Sequence, residues 1–400
     1  MKILYHHRTA SKDGQAVHIE EMVHALRELG HEVRVVAPTP HTGDGQMGDD
    51  VSWVQRLRER LPKAFYELLE LAYSAVAYRR LAVAAREFQP DVLYERYNLF
   101  MLAGRVLARR HHLPMLLEVN APLVDERQAY GGLGLPSMAR WAEDLVWRGA
   151  DVVLPVTRVL AGQVGARGVP AQRMVVIPNG INELHFAQAP TPQEAKRALG
   201  WPDALILGFT GFVRDWHGVD HVVRWMARPS TPANVRLLVV GDGPARAMLE
   251  ALATELGLGD RVRFTGVVHR DEVPKLVAAF DVALQPAAVA YASPLKLFEY
   301  LALGKAIVAP RQPNLEEVLT DNLNALLFQA GQPGALEGVL DRLCQDAPLR
   351  ARLAQEALAS ITRQQLTWRH NARRVTALAD DLLTRRDGPR AAALPRGTGP

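Results

Sequence analysis

Residues 293–309 read Ser-Pro-Leu-Lys-Leu-Phe-Glu-Tyr-Leu-Ala-Leu-Gly-Lys-Ala-Ile-Val-Ala, and this stretch decides the fold. Apolar side chains at Leu295 and Phe298 recur at helical spacing. Gly304 ends this pattern, because glycine often follows the last turn of a helix. The short apolar run Ala306–Ala309 then has the length and composition of a buried strand. The stretch therefore predicts a helix that leads directly into a buried strand.

The same alternation of strand and helix extends through both halves of the chain. In the first half, helical spacing over Val17–Leu29 lies between two strand-like runs. In the second half, helical patterns at His217–Met226, Pro244–Leu256 and Asp271–Ala279 separate further runs. Strands that alternate with helices form parallel sheets. The predicted strands are Lys2–Tyr5, Val33–Ala37, Val92–Tyr94, Pro114–Val119, Val152–Val156, Met174–Ile177, Leu205–Thr210, Val235–Val240, Val262–Thr265, Val282–Gln285 and Ala306–Ala309.

A chain of 400 residues is too long for one ordinary core, so two domains are expected. Prolines between residues 181 and 202 interrupt the periodicity and mark the join. The predicted fold class is α/β, with two Rossmann-like, doubly wound domains that face each other across a cleft. A helical pattern over Leu349–Leu383 closes the ordered part, and the Arg-, Gly- and Pro-rich end predicts a disordered tail. The predicted units are domains over 1–183 and 184–366, a last helix over 367–385 and a tail over 386–400.

The composition is that of a globular protein, with 48% apolar and 22% charged residues. Cys344 is the only cysteine, which excludes an internal disulfide and a cysteine-based metal cluster and fits a reducing compartment. The first residues lack the apolar core of a secretory signal. No apolar run is long enough to span a membrane. We therefore expect a cytoplasmic protein.

The chain carries a mild basic excess, with a formal net charge of +4. Arg56, Arg58, Arg60 and Lys63 precede an amphipathic apolar stretch. Such a cluster is typical of a solvated helix face, and the alternative is peripheral contact with the inner face of an anionic membrane. No basic run is interleaved with aromatic residues, which argues against nucleic acid as a partner.

Three loops with glycine follow predicted strands, and they contain Gly14, Gly211 and Gly241. Glycine lets backbone N–H groups approach an anion at a helix N-terminus, whereas for Gly14 and Gly241 a plain tight turn explains the residue equally well. Beside Gly211, Arg214 and His217 offer positive charge to a diphosphate, and the alternative is a structural loop with a surface arginine. The chain has no Gly-x-Gly-x-x-Gly motif, which argues against a dinucleotide cofactor.

The helix predicted after Ser293 contains a cation and a carboxylate in its first two turns. Ser293 is predicted to cap the helix, so that free N–H groups around Pro294 and Leu295 face the cleft as an anion site. Lys296 and Glu299, three residues apart, lie on one face. They form either an exposed salt bridge or sites for a diphosphate and a ribose diol, respectively.

From Lys2 to about Leu383 the chain resembles the GT-B-fold glycosyltransferases of family 4, retaining enzymes that use nucleotide-sugar donors. Each motif is common by itself, whereas all of them in this order and spacing are specific. The motifs are Gly14 and His18 with Gly30-His31-Glu32-Val33, Val176-Ile177-Pro178-Asn179-Gly180-Ile181-Asn182, Gly211 with Gly218, Gly241-Asp242-Gly243, and Phe298-Glu299-Tyr300 with Gly304.

The resemblance implies an N-terminal acceptor domain and a C-terminal donor domain. Glu299 matches the second glutamate of the family's Glu-x7-Glu element, which binds the donor ribose. The helix start from Ser293 through Pro294 to Leu295 would meet the diphosphate, together with the loops of Gly211, His217 and Gly241. The loop of Gly14 would close over the donor from the other domain, and the last helix, around Trp368–Leu383, would cross back to it. The donor is a substrate, and we expect no metal or other cofactor.

Three departures from the family pattern concern the charges around the donor sugar. Tyr291 stands where the first glutamate of the Glu-x7-Glu element is expected. Phe212 replaces an arginine and His217 a lysine in the phosphate loop, and Asn120 stands near the position of a common histidine. We therefore take Lys296 and Arg214 as the candidates for positive charge at the leaving group. Glu118 and Asn120 are the candidates for contacts to the donor sugar or acceptor.

The sequence thus predicts transfer of a sugar from a nucleoside-diphosphate sugar to a glycan, a lipid-linked or a small-molecule acceptor, as in polysaccharide or glycoconjugate synthesis. Lys296, Arg214 and the helix N-terminus would stabilise the departing diphosphate. No pair of carboxylates suggests glycoside hydrolysis. A nucleotide-sugar epimerase and a non-catalytic nucleotide-sugar-binding protein stay open as alternatives, and a nicotinamide-binding protein is the weakest.

Overall fold

The computed structural model describes residues 1–9, 14–38 and 61–391, with side chains as far as residue 386. The basic residues Arg56, Arg58 and Arg60 lie outside this part of the chain. In the described part no helix is long and apolar enough to cross a membrane.

The first unit is a five-stranded parallel sheet with the strand order β2-β1-β3-β4-β5. Every residue of β3 and β4 is buried, as expected for central strands covered on both faces. The strands are β1 (Lys2–His6), β2 (Glu32–Val36), β3 (Val92–Arg96), β4 (Met115–Val119) and β5 (Val152–Pro155). The helices are α1 (Gly14–Glu28), α2 (Lys63–Phe88), α3 (Ala103–His111), α4 (Leu123–Tyr130), α5 (Pro136–Trp147) and α6 (Arg158–Ala166).

The second unit is a six-stranded parallel sheet with the order β11-β10-β9-β6-β7-β8. The strands are β6 (Leu205–Thr210), β7 (Val235–Val240), β8 (Val262–Phe264), β9 (Val282–Leu284), β10 (Ala306–Pro310) and β11 (Ala325–Phe328). The helices from the join onward are α7 (Glu183–Phe186), α8 (Pro192–Ala198), α9 (Val219–Met226), α10 (Arg246–Glu255), α11 (Val273–Val277), α12 (Leu295–Ala302), α13 (Ala335–Gln345), α14 (Ala347–Arg363) and α15 (Trp368–Ala391). Short 3-10 turns occur at Ala171–Arg173, Asp215–His217, Gly259–Arg261 and Arg270–Glu272.

The chain returns to the first sheet at its end. Trp368 and Val375 of α15 are buried with Ile19 and Met22 of α1 in one core on one face of the first sheet. Helices α2, α3, α5 and α6 cover the opposite face. The second sheet likewise has a core on each face. The two sheets lie on either side of the segment that joins β5 to β6. The domain limits predicted at residues 183 and 366 stay predictions.

The fold class predicted from the sequence is confirmed, and the structure differs from the sequence predictions at three places. Residues 174–177 run beside β5, and Val175 donates to the Val153 carbonyl, but only Met174 pairs as a bridge. Pro155 has no N–H to donate back, so the ladder cannot continue there. Strand β11 was not predicted. The helical stretch Leu349–Leu383 is two helices, since Gln365 adopts a left-handed φ of 57° between them.

The tail predicted over residues 386–400 stays a prediction, and α15 is described as far as Ala391. Residues 392–400 lie outside the described part of the chain.

Candidate active site

The candidate site lies where the carboxyl ends of the two parallel sheets face each other, which is where ligands of such sheets bind. Helix α1 begins at Gly14, just beyond β1, and α12 begins at Leu295. A Cβ atom placed on Gly14 would lie 3.2 Å from Leu295 Cδ1. The N-termini of two helices, one from each unit, are therefore in contact. Their dipoles and unpaired N–H groups favour an anion at this point.

Ser293 does not cap α12, so this prediction is wrong. The N-cap is Pro294, which has no side chain to bond to the helix. The Ser293 hydroxyl instead accepts a hydrogen bond of 3.2 Å from the backbone N–H of Asn179, and the Ser293 carbonyl accepts from the Asn179 side-chain amide. Proline occupies the turn before the helix, which leaves Ser293 one residue too early to reach the N–H groups of the first turn. Ser293 therefore fastens the start of α12 to the segment around Asn179.

A chain of polar contacts continues from Asn179 into the first unit. His18 of α1 is buried, and its Nδ1 lies 2.6 Å from Asn179 Oδ1. Its Nε2 lies 2.8 Å from Glu118 Oε2 at the end of β4. Ser293, two residues before α12, is thus connected to the first sheet by a continuous line of polar contacts through Asn179 and His18. This line of contacts connects the segment before α12 to α1 and to β4, and so helps to set the relative position of the two helix N-termini.

Glu118 is buried beneath the cleft and is surrounded by donors. Tyr94 donates to it at 2.7 Å, and Arg96 and Asn120 also donate to its carboxylate. Burial by itself would raise the pKa of Glu118, but His18 and Arg96 hold that pKa well below its usual range. Its oxygens are engaged, so Glu118 is placed to orient Asn120, which is only partly buried. Of the two residues predicted here, Asn120 is the one with access to the cleft.

Lys296 and Glu299 do not form an exposed salt bridge. Both are partly buried, and no ion pair joins them within 4.0 Å. The Lys296 ammonium lies 3.6 Å from the centre of the Phe209 ring. No hydrogen-bond acceptor for it exists among the described residues. Burial lowers the pKa of Lys296 to about 7, although Glu299 opposes this effect. Among the residues in 1–9, 14–38 and 61–391, no acceptor pairs with this amine one residue inside the N-terminus of α12.

Glu299 lies one turn further along α12, at the end of β6. Its carboxylate accepts a hydrogen bond of 3.3 Å from the Thr210 hydroxyl. Burial raises the pKa of Glu299, while Lys296, Thr210 and Arg270 oppose the rise. The carboxylate lines a cavity between the two units, and it retains acceptor capacity for a ligand. The cavity is lined by Val17, Glu21, Arg270, Leu295, Glu299 and Trp368, among other residues.

Gly211 and Gly241 are required by the close approach of two loops. Gly211 has a φ of 116° and Gly241 a φ of 138°. A Cβ atom on Gly241 would lie 2.2 Å from the Gly211 carbonyl oxygen, and one on Gly211 would lie 3.5 Å from Lys296 Nζ. The glycine at 241 is thus explained by packing of backbone on backbone. Gly211 is the one that lies beside the ammonium of Lys296.

His217 is neutral, so the positive charge predicted for it is wrong. The ring is buried against Phe209, with 5.2 Å between ring centres, and Nδ1 accepts a hydrogen bond from the Arg214 backbone N–H at 3.0 Å. Burial, together with the charges of Lys296 and Arg214, lowers the pKa of His217 to about 3. The Arg214 guanidinium is exposed and lies 4.9 Å from the centre of the Phe212 ring. Lys296 is therefore the cation that lies beside Gly211, whereas Arg214 is an exposed residue of the same loop.

Two pairs across the cleft were not predicted as site features. The Tyr291 hydroxyl donates to the Glu126 carboxylate of α4 at 3.0 Å. Arg270 pairs with the buried Glu21 of α1 and lies 3.5 Å from Glu20. The partners are more than a hundred residues apart, so no local sequence pattern signals them. In the described part of the chain no three His, Cys, Asp or Glu side chains are grouped as a metal site.

Two family models match consecutive parts of the chain. Residues 13–180 match the glycosyl transferase 4-like domain, and residues 192–359 match glycosyl transferases group 1. The 2-deoxystreptamine glucosyltransferase of Streptomyces kanamyceticus is 28% identical over 84% of this chain and 91% of its own length. The D-inositol 3-phosphate glycosyltransferase of Xylanimonas cellulosilytica is 28% identical over 89% of each chain.

Solved structures of the same fold cover nearly the whole chain. Sucrose-phosphate synthase from Thermosynechococcus elongatus superposes with a TM-score of 0.76, at 18% identity over 96% of this chain and 99% of its own. HepE from Anabaena, in complex with UDP, superposes with a TM-score of 0.72, at 18% identity over 95% of this chain and 100% of its own. Another structure of HepE contains UDP-glucose. At this level of identity the likeness shows a common fold.

Proposed function

We propose, since the chain belongs to the GT-B-fold glycosyltransferases of family 4, that it transfers a sugar from a nucleoside-diphosphate sugar with retention of anomeric configuration. That the protein is a glycosyltransferase is the premise. The donor, the stereochemistry, the acceptor and the roles of single residues are the proposal. HepE, which has the same fold, is described with UDP and UDP-glucose, and this supports a nucleotide-sugar donor.

The observation that carries the donor site is the ammonium of Lys296 at the N-terminus of α12, which has no hydrogen-bond acceptor among the residues that the structure describes. A half-buried ammonium without an acceptor is unfavourable by itself, and a diphosphate would supply the missing acceptors. The N-termini of α12 and α1 add positive potential from both sides, at Leu295 and Gly14. Glu299, one turn away, has an oxygen available for the hydroxyls of the ribose. Arg214 would reach the diphosphate from the outer side of the loop.

The chemistry needs stabilisation of the leaving group. As the bond between the anomeric carbon and the phosphate oxygen breaks, negative charge grows on the diphosphate and positive character on the sugar. Lys296 and the helix N-termini are fixed in place and stabilise that charge without reorganisation. The acceptor hydroxyl attacks from the same face, and its proton passes to the departing phosphate oxygen. No carboxylate nucleophile and no metal are required by this scheme.

The first domain would bind the acceptor, with Asn120 oriented by Glu118 at the cleft. The relatives named for inositol 3-phosphate and 2-deoxystreptamine act on small polyols, which supports an acceptor that presents a ring hydroxyl. A glycan or a lipid-linked glycoconjugate offers the same group, as in the synthesis of a cell-surface polysaccharide. The alternatives of an epimerase or a non-catalytic binding protein are not favoured by the family matches.

The donor proposal is tested by calorimetric titration with UDP-, GDP- and ADP-sugars, followed by release of the nucleotide in the presence of acceptor polyols. Lys296→Ala and Glu299→Ala are expected to weaken binding of the preferred donor about ten- to a hundred-fold, the range for hydrogen bonds to charged groups. Lys275→Ala, an exposed lysine of α11, is the matched control. Unchanged donor binding in both site variants would refute the site. Donor binding without nucleotide release by any acceptor would favour the non-catalytic alternative.

A further inference from the structure

Two large aromatic side chains are exposed in the loop that follows β6. Phe212 is 51% exposed and Trp216 is 41% exposed. The loop lies at the carboxyl end of a parallel strand, so it borders the cleft where ligands of such sheets bind. Gly211 begins the loop, and a Cβ placed on it would lie 3.5 Å from the ammonium nitrogen of Lys296. Exposed aromatic surface at the edge of a cleft is typical of a ligand-binding site.

Both exposed rings are held in place by contacts with neighbouring side chains. The Trp216 ring lies 4.0 Å from the ring of the buried His217, measured between ring centres. The His217 ring packs in turn against Phe209, with 5.2 Å between the centres. The guanidinium of Arg214 lies 4.9 Å from the centre of the Phe212 ring. Because the rings are already ordered, a ligand that stacks on them costs little side-chain entropy.

The two exposed rings lie outside the cavity proposed for the nucleoside. That cavity, beside Glu299, is lined by residues of α1, α12 and α15 and of the segments 180–186 and 270–273, and neither exposed ring lines it. The rings of two further residues lie between Trp216 and the ammonium of Lys296. A diphosphate on Lys296 and a ribose on Glu299 would therefore leave the exposed side of Trp216 uncovered.

The loop also contacts the segment that crosses to the first unit. A Cβ placed on Gly218, two residues after Trp216, would lie 3.6 Å from Pro286 Cβ. The chain continues from there to Tyr291, whose hydroxyl donates to Glu126 of α4. The exposed rings therefore belong to the edge of the cleft where the two units meet, and the first unit is the one proposed to bind the acceptor.

An exposed carboxylate accompanies the rings. Asp215 is exposed and shares the 3-10 turn Asp215–His217 with Trp216. We refer to Phe212, Asp215 and Trp216 together as the aromatic platform. A carbohydrate fits both kinds of surface, because the C–H face of a sugar ring is apolar and its hydroxyls donate hydrogen bonds at the ring edge. A lipid chain or the apolar surface of a second copy would cover Asp215 without giving it a donor, which is unfavourable.

We propose that the aromatic platform binds a sugar ring of a glycan acceptor. The acceptor then has at least two rings, of which one presents its hydroxyl to the donor and a neighbouring ring stacks on Trp216. A polyol of a single ring would fill the reacting position and leave the platform uncovered. That the occupant is the acceptor rests on the proposed function, whereas the binding of an oligosaccharide to the platform does not.

The experiment is binding of the full chain to an array of immobilised oligosaccharides of two to six rings, followed by titration in solution of those that bind. Trp216→Ala is expected to lower the oligosaccharide affinity about ten-fold, and Trp216→Phe, which keeps a ring, to restore most of it. Asp215→Asn should lower the affinity several-fold. Trp141→Ala is the matched control, because Trp141 is 52% exposed on α5 of the first unit.

Tryptophan emission reports on the contact directly. When the oligosaccharide covers Trp216, the emission should shift to shorter wavelength, and this shift should be absent in Trp216→Phe. Because Trp216 packs against His217, the thermal midpoint of each variant is measured as well. Trp216→Phe and Asp215→Asn keep the test decisive if Trp216→Ala does not fold.

The outcomes separate this inference from the proposed function. Unchanged oligosaccharide affinity in the Trp216 and Asp215 variants would overturn the inference, and so would the absence of binding to every oligosaccharide. If Trp216→Ala weakened binding of the nucleotide sugar but not of the free nucleotide, the ring would serve the donor sugar and the inference would be wrong. A concentration-dependent dimer that Trp216→Ala dissociates would overturn it in favour of a second copy. Oligosaccharide binding that depends on Trp216, in a protein that binds no nucleotide sugar, would support the platform and count against the proposed function.

Discussion

Proton uptake on donor binding is the sharpest consequence of the site. Burial lowers the pKa of Lys296 to about 7, so part of the population is uncharged at neutral pH. A diphosphate beside the amine favours the charged form and raises this pKa toward its ordinary value. Binding of a nucleotide sugar should therefore take up protons near neutral pH, and the uptake should be larger at pH 8 than at pH 7. A nucleotide sugar is the right ligand, because its diphosphate diester does not itself titrate in this range.

The sign of the pH dependence follows from the same shift. The bound complex holds more protons than the free protein between the free and the bound pKa of Lys296. Donor affinity should therefore be nearly constant below pH 7 and fall as the pH rises above it, by up to about ten-fold per pH unit. His217, whose pKa is lowered to about 3 by burial, does not change charge in this window.

The assay is calorimetric titration with UDP-glucose, or with the preferred nucleotide sugar, in buffers of different ionisation enthalpy. Lys296→Arg keeps the charge at every pH, so it should bind without proton uptake. Lys296→Met should bind about ten- to a hundred-fold more weakly, also without uptake. Lys275→Met is the control that leaves both quantities unchanged. Uptake that persists in Lys296→Met would refute the reasoning and would point to Glu299, whose pKa burial raises.

Three further predictions concern the scaffold of the site. Gly241→Ala should lower the free energy of unfolding, measured by chemical denaturation, by about 2 kcal/mol or more, because a Cβ at this position would lie 2.2 Å from the Gly211 carbonyl. Gly162→Ala is the control: its helical position has open space, so this change should be neutral or slightly stabilising. Tyr291→Phe removes the hydrogen bond to Glu126. It should change kcat or KM for sugar transfer and lower the free energy of unfolding by about 1 kcal/mol or less. An unchanged kcat and KM would show that this pair has no part in the reaction. His18 and Arg96 lower the pKa of Glu118, so its ionised carboxylate stabilises the fold fully above pH 4.5 and less as the pH falls below that value. Glu118→Gln should therefore weaken the acid-side dependence of the free energy of unfolding on pH. An unchanged dependence would contradict this assignment.

The sequence predicted best what neighbouring residues determine. The unit from 293 to 309 was predicted as a helix and a strand, because both the apolar spacing and the glycine stop are local signals. Strand β11 was missed, since Ala325–Phe328 is four residues long and contains no β-branched residue. Ser293 has the ideal chemistry for a helix cap, but the proline after it displaces the cap by one residue. Patterns of residue type cannot resolve a shift of that size.

The site's electrostatics were beyond the sequence, because they depend on burial and on distant partners. His217 looks like a cation in the sequence, and only its packing against Phe209 makes it neutral. The line from Glu118 through His18 to Asn179 joins residues that are far apart in the chain. The same holds for Tyr291 and Glu126. The sequence identified Glu118, Asn120, Lys296 and Glu299 as single candidates. It could not show which of them keeps a hydrogen-bond donor or acceptor available toward the cleft.

The central claim is that a nucleotide binds at α12 with its ribose on Glu299. The most direct measurement compares the affinity for UDP with that for 2′,3′-dideoxy-UDP, in the unsubstituted protein and in Glu299→Ala. If the donor screen identifies another nucleotide, that nucleotide and its dideoxy form are compared in the same way. Hydrogen bonds from ribose hydroxyls to a carboxylate should make the unsubstituted protein prefer UDP by about ten-fold or more. This preference should disappear in Glu299→Ala, whereas an equal preference in both proteins would contradict the account.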